Sequence, residues 1–253
     1  MDSRVARVEE VRVLAPGYAL LRFSAERPIE ARPGQFAMVR GDWGTAPLLP
    51  RAFSLVEAGE RAAILVRVVG EGTRRLAKLL PGDSLTVLSP CGKGFTDPDE
   101  DERPVLVAGG VGVAPLVFLA ASLAPRRPLF LYGARTAADL VMCEEIRKAA
   151  HLVETTEDGS RGEKGLVTGA LARAMTGHGR VRVYACGPSP MLEVVARVAL
   201  EENAPCEVAL ESGMACGLGT CRGCAVTMAD GTYRCVCCDG PVFDATLVYG
   251  GKR

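Results

Sequence analysis

The stretch 211–243, ESGMACGLGTCRGCAVTMADGTYRCVCCDGPVF, holds six of the ten cysteines and limits what the rest of the chain can be. Its first three stand as Cys216-x4-Cys221-x2-Cys224 in a loop interrupted by Gly217, Gly219 and Gly223. Thiolates at this spacing suit a [2Fe-2S] cluster, and the glycines suit a backbone that takes positive φ and brings N–H groups up to sulfur. A fourth thiolate is required, and Cys235, Cys237 and Cys238 each offer one. A closed zinc site of Cys221, Cys224, Cys235 and Cys238 is the competing arrangement, but it leaves Cys216 and the glycines without a role. Disulfides are not expected, because no secretory signal opens the sequence and a cytosolic thiol pool keeps such pairs reduced.

A chain of 253 residues with 48% hydrophobic content has material for two ordinary domains and a small appendage. Its 30 basic and 30 acidic residues cancel, and no basic run points to nucleic acid or an anionic membrane as partner. The run 105–124 carries no charge and is long enough to cross a bilayer. Its three glycines and the Ala114-Pro115 pair predict a buried strand, a tight turn and a helix instead, so no membrane span and a cytoplasmic location are expected.

The sequence predicts a multidomain β + α/β architecture. Short Val-, Leu-, Ile- and Phe-rich runs at 5–14, 18–23, 35–40, 52–57, 61–69 and 85–89 read as strands, with one helix near 73–80. Consecutive strands without intervening helices imply an N-terminal antiparallel β-barrel over 1–99. Over 100–205 strands (105–108, 129–132, 152–156, 181–185) alternate with helices (115–124, 137–150, 167–175, 189–203), the pattern of a parallel sheet with ligands at the strands' carboxyl ends. The remainder, 206–253, is a small cluster-binding domain.

Within these regions a few residues invite a ligand. Arg51 follows a proline at a strand start, where a guanidinium can pair with a phosphate. Gly72-Thr73 opens a helix whose free N–H groups favour an anion, although for that pair alone a turn with an ordinary Thr cap is the default reading. Gly109, Gly110, Gly112, Ala114 and Pro115 form a glycine-rich strand-to-helix turn suited to a pyrophosphate. It lacks the G-x-G-x-x-G spacing and the acidic residue expected for a ribose. Cys186-Gly187-Pro188 stands at a second such junction, where the cysteine alone reads as a small buried hydrophobe.

In this order, Arg51-Ala52-Phe53-Ser54, Gly72-Thr73, the GGVGVAP turn and Cys186-Gly187-Pro188 with Met191 resemble the ferredoxin-reductase superfamily of flavin and nicotinamide enzymes. The run 157–165 and the cysteine tail, with 236–243 following, are similar to the electron-transfer subunits of the NAD-linked, two-subunit dihydroorotate dehydrogenase. The resemblance covers essentially the whole chain. It implies that the barrel binds FAD through Arg51, Ala52, Phe53 and Ser54, through Leu65, Val66 and Arg67, and through Gly72 and Thr73. It also implies NAD at 109–115 and 186–188, and Cys237 as the fourth cluster ligand beside Cys216, Cys221 and Cys224. Ala52 departs from the family's usual proline, and Cys235 and Cys238 are additional.

The implied function is an oxidoreductase subunit. Electrons from an FMN-containing catalytic subunit, which oxidises dihydroorotate, pass through the cluster and FAD to NAD in pyrimidine biosynthesis, in a heterotetramer of two plus two. A nicotinamide exchanges hydride, the cluster single electrons, and a flavin either, so flavin belongs between them. No acid–base residue is called for, and His151 and His178 need no role. The alternatives are an NAD(P)H-dependent reductase feeding a ferredoxin, hydrogenase or oxygenase, a regulatory redox sensor, and a zinc-stabilised flavin module.

Overall fold

The computed structural model describes residues 1–176 and 179–250; His178 lies outside them. The first six strands are β1 (Asp2–Ala15), β2 (Tyr18–Ala25), β3 (Phe36–Gly41), β4 (Arg51–Glu57), β5 (Ala62–Arg67) and β6 (Ser84–Cys91). They close an antiparallel barrel in the order β1-β2-β5-β4-β3-β6. Alternation explains the unbroken hydrophobic runs of β2 and β5. Leu21, Phe23, Ile64 and Val66 fill the barrel, while Tyr18, Leu20, Ala63 and Leu65 point outward into the core shared with the next domain. Each fully buried Leu of this kind contributes about 1.5–3 kcal/mol. The helix α1 (Glu71–Leu76) is shorter than the sequence predicts and ends before the turn at Pro81-Gly82.

The second domain carries strands β7 (Arg103–Gly109), β8 (Leu129–Ala134), β9 (His151–Thr156), β10 (Glu163–Lys164), β11 (Val181–Cys186) and β12 (Cys206–Ala209). Its helices are α2 (Val113–Ser122), α3 (Cys143–Ala149), α4 (Val167–Met175) and α5 (Ser189–Glu201). Leu106, Ala108, Phe130 and Tyr132 face α2 and α3, and the intervening Val105, Val107 and Leu131 face α4 and α5, so both sides of the sheet are covered. The expected helix over 137–150 is interrupted. Leu140, Val141, Met142 and Cys143 are all buried, which no single helical face permits, and Met142 turns to φ 63° between a 3-10 turn and α3.

The sheet runs β10-β9-β8-β7-β11-β12-β15, with β15 (Val242–Asp244) antiparallel to β12. Chain order reverses between β7 and β11, so the ligand crevice expected of such a sheet lies at their carboxyl ends. The C-terminal segment adds the hairpin β13 (Ala225–Thr227) and β14 (Tyr233–Cys235) and the helix α6 (Ala245–Tyr249). The barrel and sheet domains pack together: α2 lies on β4, and Tyr184 donates to the Thr96 carbonyl at 2.9 Å while Glu207 accepts from Thr96 N at 3.0 Å. Among the described residues no helix is long and apolar enough to cross a membrane. The uncharged run 105–124 becomes β7, a turn and α2.

Candidate functional site

The cysteine loop folds back on itself through Gly217 (φ 71°), Gly219 (φ 79°) and Arg222 (φ 53°). It lies against the barrel: a Cβ on Gly217 would stand 2.5 Å from Met38 Cγ. Its sulfurs accept backbone hydrogen bonds, Cys216 from Leu218 N at 3.3 Å, Cys221 from Gly223 N at 3.5 Å and Cys237 from Gly219 N at 3.1 Å. The thiols form two pairs, Cys216 beside Cys221 and Cys224 beside Cys237, and Cys235 also meets Cys224. Hydrogen bonds from the Cys221 and Leu218 backbones and the Cys221 thiol hold the Cys216 pKa down to about 6, so it is a thiolate at neutral pH. Burial and the neighbouring Cys224 push the Cys237 thiol up instead. A [2Fe-2S] cluster takes four thiolates, two to each iron, and these two pairs fit that demand.

Cys235 and Cys238 form a trio with Asp239 beside those pairs, and the Cys235 thiol also meets that of Cys224. The 240–243 segment that follows seals onto the barrel. Lys93 N donates to the Gly240 carbonyl at 2.5 Å, and a Cβ on Gly34 would stand 2.8 Å from Val242.

On the barrel, Arg51 extends over Gly72, where a Cβ would overlap its guanidinium. Its one described partner is the Leu49 carbonyl, and it meets no carboxylate among the described residues. A cation without a counter-charge thus borders the first turn of α1, which suits phosphate. Thr73 Oγ1 is occupied locally, accepting from Val69 N at 2.9 Å and Gly70 N at 3.1 Å. Ala52, Phe53 and Ser54 continue along β4 and are partly buried. Leu65 and Val66 bury their side chains in the two cores, so on β5 only Arg67 and the backbone remain for a ligand.

At the switch point the two predicted junctions meet. A Cβ on Gly112 would lie 2.7 Å from Gly187 N, and one on Gly187 would lie 3.0 Å from Gly109 Cα. Gly110 holds φ 53° with open space beside it. The N-terminus of α2 opens here, with Val113 N–H already donating to the preceding turn and no N–H on Pro115. Ala114 and Pro115 form its buried first turn. Cys186 is buried, and burial reinforced by the Glu211 carboxylate raises its thiol well above the ordinary value. Met191 closes over Gly109, and Pro188 is exposed.

Comparison with known proteins agrees with this layout. The family model described as the iron-sulfur cluster binding domain of dihydroorotate dehydrogenase B matches residues 211–249, and an oxidoreductase NAD-binding domain model matches 106–197. The dihydroorotate dehydrogenase B (NAD(+)) electron transfer subunit of Caldanaerobacter subterraneus subsp. tengcongensis is 40% identical over 220 residues, covering 85% of this chain and 86% of that protein. The protein of the same description from Desulforamulus reducens is 37% identical over 256 residues, covering 96% and 97%. The chain belongs to the family of dihydroorotate dehydrogenase B electron transfer subunits.

A solved NADH-dependent reduced ferredoxin-NADP oxidoreductase superposes with TM-score 0.82 at 28% identity, covering 96% of this chain and 88% of that one. The ferredoxin reductase of carbazole 1,9a-dioxygenase, at 21% identity and TM-score 0.71 with 81% and 67% covered, shares the fold.

This family member also contains a network that no motif reveals. Tyr132 OH lies 3.3 Å from the Gly110 carbonyl and 3.1 Å from that of Asp139, and Tyr18 OH donates to Asp139 Oδ1 at 3.1 Å. Arg67 sits over the Tyr18 ring, 5.8 Å from its centroid. Barrel strands and the glycine turn are therefore linked through two buried tyrosines. Glu211 is a second residue the motifs miss: although its side chain reaches the surface, surrounding protein raises its carboxyl, Arg67 opposes this, and its charge reaches Cys186. The only signal for either was its place beside a motif.

Proposed function

We propose that this chain serves as the electron-transfer subunit of an NAD-linked dihydroorotate dehydrogenase, working beside an FMN-containing catalytic subunit in a two-plus-two heterotetramer in the cytoplasm. The observation that carries the reading is the pairing of Cys216 with Cys221 and of Cys224 with Cys237 in a loop packed on the barrel. Those four residues would hold the [2Fe-2S] cluster. Arg51, Gly72 and Thr73 would hold the FAD phosphates, with Ala52, Phe53, Ser54 and Leu65, Val66, Arg67 along the flavin. Gly109, Gly110, Gly112, Ala114 and Pro115 with Cys186, Gly187 and Pro188 would hold NAD. The three functional units would divide near 1–99, 100–205 and 206–253.

When bound, flavin and cluster supply the exchange between hydride and single electrons that links NAD to a one-electron partner. The chain's own part is geometric. Arg51 offers charge to phosphate, the interlocked turns fix where a nicotinamide can lie, and the Tyr18–Asp139–Tyr132 network keeps the glycine turn in register with the barrel. The raised Cys186 thiol stays protonated and neutral, so it neither attacks nor repels what it faces.

The test is copurification from native cells followed by dihydroorotate-dependent NAD reduction. The expected result is an FMN-containing, dihydroorotate-oxidising protein that reduces NAD only with this chain present. A second reading, reduction of a ferredoxin-like partner from NADH, is favoured by the 28% identical ferredoxin-NADP oxidoreductase structure. Recovery of a ferredoxin, and no dihydroorotate activity, would select it.

A further inference from the structure

With the cluster assigned to Cys216, Cys221, Cys224 and Cys237, two further thiols lie close by without a role. The ligand atoms of Cys235, Cys238 and Asp239 all lie within 4.8 Å of one another. The turn that carries them is already ordered. Cys238 N and Asp239 N donate to the Cys235 carbonyl at 3.1 and 2.8 Å, and Asp239 Oδ2 accepts from Cys235 N at 2.7 Å. Cys237, between them in sequence, is buried with its sulfur on Gly219 N, whereas Cys238 is exposed. Gly219 leaves that thiol its space, since a Cβ there would stand 2.8 Å from Cys238 Sγ. Asp239 also borders an open cavity of about 330 Å³ lined by Lys93, Asp230, Thr232 and Arg234, and the exposed Cys238 leaves the trio open to an ion from solvent.

We propose that Cys235, Cys238 and Asp239 form a second metal site, for a soft divalent cation of the zinc class with water at its fourth position. Two thiolates and one carboxylate favour such an ion over magnesium or calcium. Metal–sulfur and metal–oxygen distances of about 2.3 and 2.0 Å need ligand separations of roughly 3.3–3.8 Å, to which a trio lying within 4.8 Å can close. On binding, both thiols release their protons to solvent and no electron is transferred. The ion would cross-link the turn that runs from the end of β14 to Asp239. This set differs from the closed four-cysteine zinc site, because Cys221 and Cys224 stay with iron, and it rests on the cluster reading above.

The experiment uses the full-length holoprotein, purified anaerobically, equilibrated with zinc sulfate and desalted against a weak chelator. Zinc, iron, sulfide and FAD are measured per chain. Stoichiometric zinc alongside full cluster iron is expected, with zinc affinity lowered at least about tenfold in Cys238→Ala and in Asp239→Asn while iron and FAD stay unchanged. Full iron with no retained zinc overturns the proposal, as does zinc retained undiminished in both variants or zinc that rises only as iron falls. Wild-type protein lacking iron and sulfide strikes the cluster reading itself, and is thereby distinguished from failure of the second site.

Discussion

The interlocked turns at the switch point yield a quantitative prediction for Gly112→Ala. The added methyl would overlap the Cys186 carbonyl oxygen and stand 2.5 Å from its carbon and 2.7 Å from Gly187 N. All three are backbone atoms, so no rotamer change relieves the contact and the two turns must separate. Overpacking of this kind costs about 1–3 kcal/mol. If that cost falls on the nucleotide-bound geometry, NADH binding weakens roughly 5- to 150-fold, at about 1.4 kcal/mol per decade. The assay is anaerobic stopped flow on the holoprotein, following flavin bleaching as a function of NADH concentration. FAD content and cluster absorbance serve as internal controls, because the barrel and cysteine loop lie elsewhere. An unchanged half-saturation concentration would refute the assignment of these turns to the nicotinamide nucleotide.

Cys221→Ser should abolish cluster absorbance and iron while leaving FAD bound; unchanged iron would show the ligand assignment to be wrong. Arg51→Ala removes a charge-assisted contact of about 1.5–3 kcal/mol and should weaken FAD retention by tenfold or more, read by fluorescence on dilution. Tight retention would leave Arg51 as a partner of the Leu49 carbonyl alone. Tyr132→Phe removes the hydroxyl from the Gly110 carbonyl and should raise the NADH half-saturation severalfold without altering FAD content, whereas an effect on FAD content alone would contradict a role in placing the turn. In the iron-free chain, Cys216 alkylation should reach half its maximal rate near pH 6. Its folded pKa lies below the unfolded value, so the associated stabilisation is present above about pH 8.5 and is lost as pH falls through about 6. Half-maximal alkylation near pH 8.5 would show that the backbone hydrogen bonds do not form.

The architecture was legible wherever local pattern and tertiary demand agree. The predicted span 167–175 is reproduced in α4, because one apolar stripe of that helix, Val167, Ala170, Leu171 and Met175, meets the sheet. The region 137–150 was misread because its composition suits a helix while four consecutive residues are required in the core. Cysteine spacing made the cluster loop readable, since iron imposes a local arrangement. The link from Tyr18 to Asp139 spans 121 residues and leaves no local trace. The same holds for the trio at 235–239: the sequence shows three cysteines within four positions, and only the fold separates the buried Cys237 from the exposed Cys238.

We propose that electrons entering singly at the cysteine loop leave as hydride at the glycine turn, a path that added NADH drives in reverse. Electron paramagnetic resonance of the anaerobic, NADH-reduced protein tests it most directly. A cluster signal that integrates in proportion to FAD, together with equal iron and acid-labile sulfide, is the predicted result. Flavin that bleaches with NADH in protein carrying neither iron, sulfide nor that signal would contradict it.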